Sequence, residues 1–172
     1  ELEWFYQEGA SRLFPDAWEH YLAPIPAVER HDLISAYHRR LTSPDEATRL
    51  DAARAWSVWE AATSFLRQDP GFMASHEDPH FALAFARIEC HYFVNGGFYE
   101  VEDQLLRDAH RLKDIPGTIV HGRYDVVCPL QNAWELHKAR PKARLEICPA
   151  SGHSAFEPEI ADALVRATDG YR

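Results

Sequence analysis

Apolar positions recur at helical spacing along the first two thirds of the chain, and beyond them come short strand-like runs, the first of them β-branched. Leu33, Ile34, Tyr37 and Leu41 lie on one helical face and predict a helix over 28–41. A shorter helix is predicted over 15–22, ended by Pro24 and Pro26. Ser43-Pro44-Asp45-Glu46 reads as a helix start, with Ser43 as cap, Pro44 in the first helical position and acids in the first turn. That helix is expected to reach Arg67 and to be stopped by Asp69-Pro70-Gly71. Another runs from Pro79 or His80 to Val94, ended by Asn95-Gly96-Gly97, and residues 102–112 also read as helix.

Beyond residue 112 the pattern changes. Gly117-Thr118-Ile119-Val120-His121-Gly122 and Arg144-Leu145-Glu146-Ile147-Cys148 are predicted strands, each followed by a helix, over 129–139 and 158–168. Strand, helix, strand, helix with short loops predicts βα units on a parallel sheet, hence an α/β fold class. Two parallel strands are too few for an independent sheet, so this portion reads as the end of a larger one. No internal repeat or low-complexity tract interrupts the chain.

Composition narrows the function. The 172 residues amount to one domain or one and a half, and 46% apolar with 26% charged residues excludes a disordered tail. No run is long and apolar enough to predict a membrane span. The opening Glu1-Leu2-Glu3-Trp4 has no signal-peptide pattern and no initiator Met, as expected of a processed protein or a fragment alike. A net charge of -9 argues against nucleic acid as partner and suits a cationic ligand. Cys90, Cys128 and Cys148 are odd in number and widely spaced, so a reducing compartment such as the cytoplasm is expected. The 12% aromatic content, with five Trp, is enough for a large core or a lined pocket.

The chemistry is expected in the loops that follow the two strands, because sites of parallel sheets form at the carboxyl ends of strands. The first loop is His121-Gly122-Arg123-Tyr124-Asp125-Val126-Val127-Cys128-Pro129, and the second is Pro149-Ala150-Ser151-Gly152-His153-Ser154-Ala155-Phe156. An Asp after one strand and a His after the next is the acid–base half of a Ser-His-Asp triad, in the chain order of α/β-hydrolases. His153 would take the proton of a serine, while Asp125 fixes the imidazole tautomer and stabilises the imidazolium. No Gly-x-Ser-x-Gly occurs anywhere in the sequence. Ser11 and Ser154 stand in the wrong contexts for a nucleophile.

Three helical segments then become recognisable. Trp4-Phe5-Tyr6-Gln7-Glu8-Gly9-Ala10-Ser11, Ala55-Trp56-Ser57-Val58-Trp59-Glu60 and Ala86-Arg87-Ile88-Glu89-Cys90-His91-Tyr92-Phe93 resemble the cap of the proline iminopeptidase (prolyl aminopeptidase) family. The Gly-Arg-Tyr-Asp and Ser-Gly-His-Ser-Ala-Phe loops resemble its Asp and His loops, and the resemblance spans essentially the whole chain. It implies a serine peptidase of the α/β-hydrolase fold that removes N-terminal proline from peptides. Residues 1–111 would be a mostly helical cap and 112–172 the C-terminal βαβα part of the hydrolase domain. The N-terminal half of the hydrolase sheet, with the serine, would be absent, leaving the chain inactive by itself.

The resemblance also assigns roles in the cap. Glu60 and Glu89 would bind the free imino end of the substrate. A buried carboxylate is costly to desolvate unless a cation pairs with it, and the substrate's secondary amine is such a cation. An internal ion pair with Arg54 or Arg87 is the competing account. Leu2, Phe5 and Tyr6 are candidates for the pyrrolidine pocket, and Cys128 for a thiol beside it. Ala61 and Cys90 depart from the family pattern, which commonly has Gly and Asn there. No cofactor is implied, and homo-oligomerisation is compatible with the sequence. Other capped hydrolases, such as esterases or epoxide hydrolases, and a non-catalytic helical binding module remain alternatives. His76-Glu77-Asp78-Pro79-His80 matches the zincin pattern, but Pro79 would interrupt the helix that pattern requires, so no metal is expected.

Overall fold

The structure, a computed structural model, describes residues 2–172. By compactness the chain divides into two units, residues 1–63 with 67–98, and residues 64–66 with 99–172.

The first unit is helical. It holds α1 (Leu2–Tyr6), α2 (Pro15–Leu22), α3 (Leu33–Leu41), α4 (Glu46–Ser64), α5 (Pro70–Glu77) and α6 (Pro79–Val94), with Ser64, the last residue of α4, counted in the second unit. Aspartates decide where several of these helices begin. Asp32 accepts the Ser35 N–H at 3.1 Å, Asp69 the Phe72 N–H at 2.8 Å and Asp78 the Phe81 N–H at 2.9 Å. Each satisfies an amide that the first helical turn leaves without a partner.

These caps move several expected boundaries. The helix expected over 28–41 starts only at Leu33, after a separate 3-10 turn at Ala27–Glu29. The helix expected from Pro44 starts at Glu46, because the Asp45 carboxylate takes the Thr48 N–H at 2.8 Å. It ends at Ser64 rather than Arg67. Asp69-Pro70-Gly71, read as a stop, is also the start of α5, with Asp69 as cap and Pro70 in the first helical position. The zincin pattern is split between α5 and α6, because Asp78 is extended at φ −62 and ψ 124.

The core of this unit is aromatic. Phe5, Tyr6, Tyr21, Tyr37, Trp56 and Trp59 are at most 1% exposed. Tyr6 stacks on Trp56 with ring centroids 4.6 Å apart, Tyr21 on Tyr37 at 4.6 Å and Phe5 on Trp59 at 5.1 Å. Gly9 lets the chain turn after α1. Its φ is +140, and a Cβ there would lie 2.5 Å from the Trp4 ring.

The second unit contains α7 (Gln104–Asp108), β1 (Thr118–Gly122), α8 (Leu130–Ala139), β2 (Arg144–Cys148) and α9 (Pro158–Asp169). The helix expected over 102–112 is shorter. At Ala109 the N–H bonds to the Leu106 carbonyl, and the tighter i to i−3 pattern turns Ala109–Leu112 into a 3-10 segment. The strands pair in parallel from Thr118 opposite Arg144 to Gly122 opposite Cys148. Val120 packs on Cys148, Ile160 and Ala163, which joins the sheet to α9. At this coarse level the chain is the helix-rich α/β arrangement expected, with a two-stranded parallel sheet.

Beyond the strands the backbones stay in contact. The Arg123 N–H donates to the Cys148 carbonyl at 2.9 Å and the Tyr124 N–H to the Ser151 carbonyl at 3.0 Å. A Cβ on Gly122 would lie 1.9 Å from the Gly152 carbonyl oxygen, so this approach requires glycine. The loops carrying Asp125 and His153 are thereby brought together.

Candidate active site

Asp125 lies at the turn after β1 and is 8% exposed. One of its oxygens, Oδ1, accepts the Val127 N–H at 3.0 Å and the Cys128 N–H at 2.7 Å. These bonds come from its own loop and fix the carboxylate. Its other oxygen, Oδ2, lies 3.0 Å from His153 Nδ1. An ionised carboxylate only accepts, so Nδ1 carries the hydrogen, and in the neutral ring Nε2 is the basic nitrogen. The His153 side chain is 38% exposed, so it remains accessible from the surface of its unit.

Three further groups hold this pair, none of them a site residue expected from the sequence. His121 Nε2 donates to the Cys128 carbonyl at 2.8 Å and stands 3.4 Å from Asp125 Oδ2. On the His153 side, the Ser64 carbonyl accepts the N–H groups of His153 at 3.0 Å and Ser154 at 2.8 Å. The Glu157 carboxylate accepts those of Gly152 at 2.7 Å and Leu66 at 3.0 Å. His121 had a visible signal, since it stands four positions before Asp125. Glu157 had none for its bond to Leu66, 91 positions away.

In the helical unit, Glu60 is a buried carboxylate that accepts the Tyr6 hydroxyl. Glu89, half-buried on α6, accepts the Trp56 Nε1–H at 2.9 Å. Tyr6 and Trp56 are the stacked pair described above, so each carboxylate is tied to one ring of the same stack. Arg54, named as a competing partner, stands 3.7 Å from Glu77. Phe5 and Tyr6 are wholly buried in the aromatic core, while Leu2 is 36% exposed. Cys128 is half-buried, with its N–H on Asp125 and its carbonyl on His121. Among the described residues, no group of three or more His, Cys, Asp and Glu is arranged to hold a metal ion.

Over 171 residues the chain is 81% identical to the proline iminopeptidase of Xanthomonas citri, covering 99% of this chain and 55% of that protein. Nearly the whole chain is similar to proteins named proline iminopeptidase. The proline iminopeptidase of Xylella fastidiosa strain Temecula1 is 78% identical over 171 residues, again with 99% of this chain and 55% of that protein covered. That of Arabidopsis thaliana is 49% identical over 170 residues, 98% of this chain and 45% of that protein. The chain thus spans about half the length of the curated relatives it matches. No family model matches it.

The two departures from the family pattern are both buried. Ala61 is 1% exposed, and Cys90 donates from Sγ to the Ile34 carbonyl at 3.6 Å. Burial pushes the Cys90 thiol up to about 12, with the neighbouring Glu89 charge adding to it, so this cysteine is inert packing. Neither departure removes a charge from the site.

Proposed function

We propose that the whole protein carrying this chain is a serine-type aminopeptidase that releases proline from the N-terminus of peptides. The observation that carries the proposal is the 3.0 Å pairing of Asp125 with His153 at the ends of two neighbouring parallel strands. The names of the relatives support the same reading. In this assignment residues 1–111 form the helical cap and 112–172 the C-terminal part of an α/β-hydrolase domain. The nucleophilic serine comes from a part of the protein beyond these 172 residues, since no Gly-x-Ser-x-Gly lies within them.

The roles follow from the chemistry. The serine hydroxyl attacks the carbonyl carbon of the N-terminal proline, and His153 Nε2 takes its proton. The imidazolium is stabilised by Asp125, whose Oδ1 already accepts two backbone N–H groups. The tetrahedral intermediate collapses as His153 returns the proton to the leaving amine, giving an acyl-enzyme. Water activated by the same imidazole then releases proline. Glu60 and Glu89 receive the positive imino terminus, which limits the enzyme to one residue from a free end. Tyr6 serves by holding Glu60, with Phe5 packed beside it, and Cys128 flanks the proline ring. No cofactor enters these steps.

Three cysteines, odd in number and widely spaced, support a cytoplasmic location. Among the described residues no helix is long and apolar enough to cross a membrane. The test is hydrolysis of a proline anilide. The whole protein is expected to turn it over, and the 172-residue chain by itself is not. Turnover by the isolated chain above that of its His153→Ala variant would contradict the assignment of the serine.

A further inference from the structure

Glu157 occupies the cap position of α9, yet its side chain makes no capping bond to that helix. It is 6% exposed, and Oε1 turns to the Gly152 and Leu66 amides at 2.7 and 3.0 Å. Its own N–H donates to the Ser154 carbonyl at 3.0 Å. Residues 152–154 are therefore held from both sides. The Ser64 carbonyl takes the amides of His153 and Ser154, while the Glu157 carboxylate joins the amide before His153 to segment 64–66. Burying a carboxylate is costly, and two charge-assisted bonds to backbone amides offset that cost while fixing both amides in place. The only side chain in this loop with a part in the proposed reaction is His153.

From this geometry we propose that Glu157 is a positioning residue for His153. Its carboxylate clamps the loop to segment 64–66 and so sets the reach and angle of the imidazole on Asp125. The proposal rests on the aminopeptidase reading only for its kinetic consequence. Two properties of Glu157 separate in substitutions. Gln keeps the length and one acceptor oxygen, enough for both amides. Asp keeps the charge and is a good helix cap, but is one methylene too short to span both amides.

The experiment compares Glu157→Asp and Glu157→Gln in the whole protein, with kcat and KM for a proline anilide and the His153 Nδ1 proton resonance by NMR. Glu157→Asp is expected to lower kcat by about 10- to 100-fold with KM within about twofold, as small misplacements of a catalytic group do. Its Nδ1 resonance should broaden as the bond to Asp125 loosens. Glu157→Gln is expected to keep kcat within about threefold and to retain the resonance, because its oxygen preserves the clamp. Wild-type kcat and resonance in Glu157→Asp would overturn the proposal. Equal losses in both variants would also overturn it, since reach would then not be what matters. If the wild-type protein released no proline, the aminopeptidase reading would fall, and the resonance alone would decide the role of Glu157.

Discussion

The two units hold their carboxylates in different ways. In the helical unit Glu60 is held by a hydroxyl 54 positions away in sequence, and Glu89 by an indole N–H 33 positions away. Both donors belong to rings packed in the core. In the strand unit Asp125 and Glu157 are held by main-chain amides. A main-chain donor survives almost any substitution of its own side chain. A ring donor is lost with one atom. The carboxylate proposed to orient an imidazole is thus fixed by backbone, and the carboxylates proposed to meet a substrate cation by side chains set in aromatic packing.

That contrast can be broken most severely at Asp125. Replacing it with Asn keeps the shape but presents an amide to His153 Nδ1, favouring the wrong tautomer. In the whole protein kcat should fall about 10⁴-fold, the loss such a replacement causes in triads generally, with KM little changed. Steady-state kinetics with a proline anilide measure it, and a loss under tenfold would break the triad assignment.

Glu60→Gln tests the other side. It leaves a hydrogen-bonding group for Tyr6 but removes the charge proposed to meet the imino terminus. Loss of one partner of a buried charge pair costs at least about 2 kcal/mol, so kcat/KM for proline anilide should drop by about 30-fold or more. A simple ester substrate, which has no imino terminus, should be hydrolysed almost as before. Equal loss on both substrates would move Glu60 from substrate recognition to folding.

The smallest effect sharpens the comparison. Tyr6→Phe removes only the hydroxyl that Glu60 accepts and keeps the ring stack on Trp56. Stability should decrease by about 1.5–3 kcal/mol, the range for hydrogen bonds to charged groups, read from urea unfolding by tryptophan fluorescence. At Asp125 Oδ1 the donors are backbone amides, which a side-chain deletion of this kind leaves in place.

What can be read from sequence follows the same division. The Asp125 amide donors are two and three residues downstream, β1 is a short β-branched run, and each strand is followed by a chemistry-bearing loop. Such local relations are visible along the chain. The same holds for α6 and α9, whose prolines mark the starts. Asp69-Pro70-Gly71 misled because identical residues can end one helix and cap the next, and only the following Phe72 amide decides which. The five-residue α1 is too short to show a period, yet it delivers Phe5 and Tyr6 to the core. The Tyr6–Glu60 and Leu66–Glu157 bonds join distant positions with no local signature, so neither was legible. Glu60 and Glu89 were reached by resemblance, not by their own spacing.

In the proposed reaction a free imino terminus is recognised and the bond after proline is then cut with His153 as base. The most direct measurement compares proline anilide with N-acetylproline anilide on the whole protein. The account predicts turnover of the first and none of the second, because acetylation removes the cation assigned to Glu60 and Glu89. Comparable turnover of both substrates would contradict it.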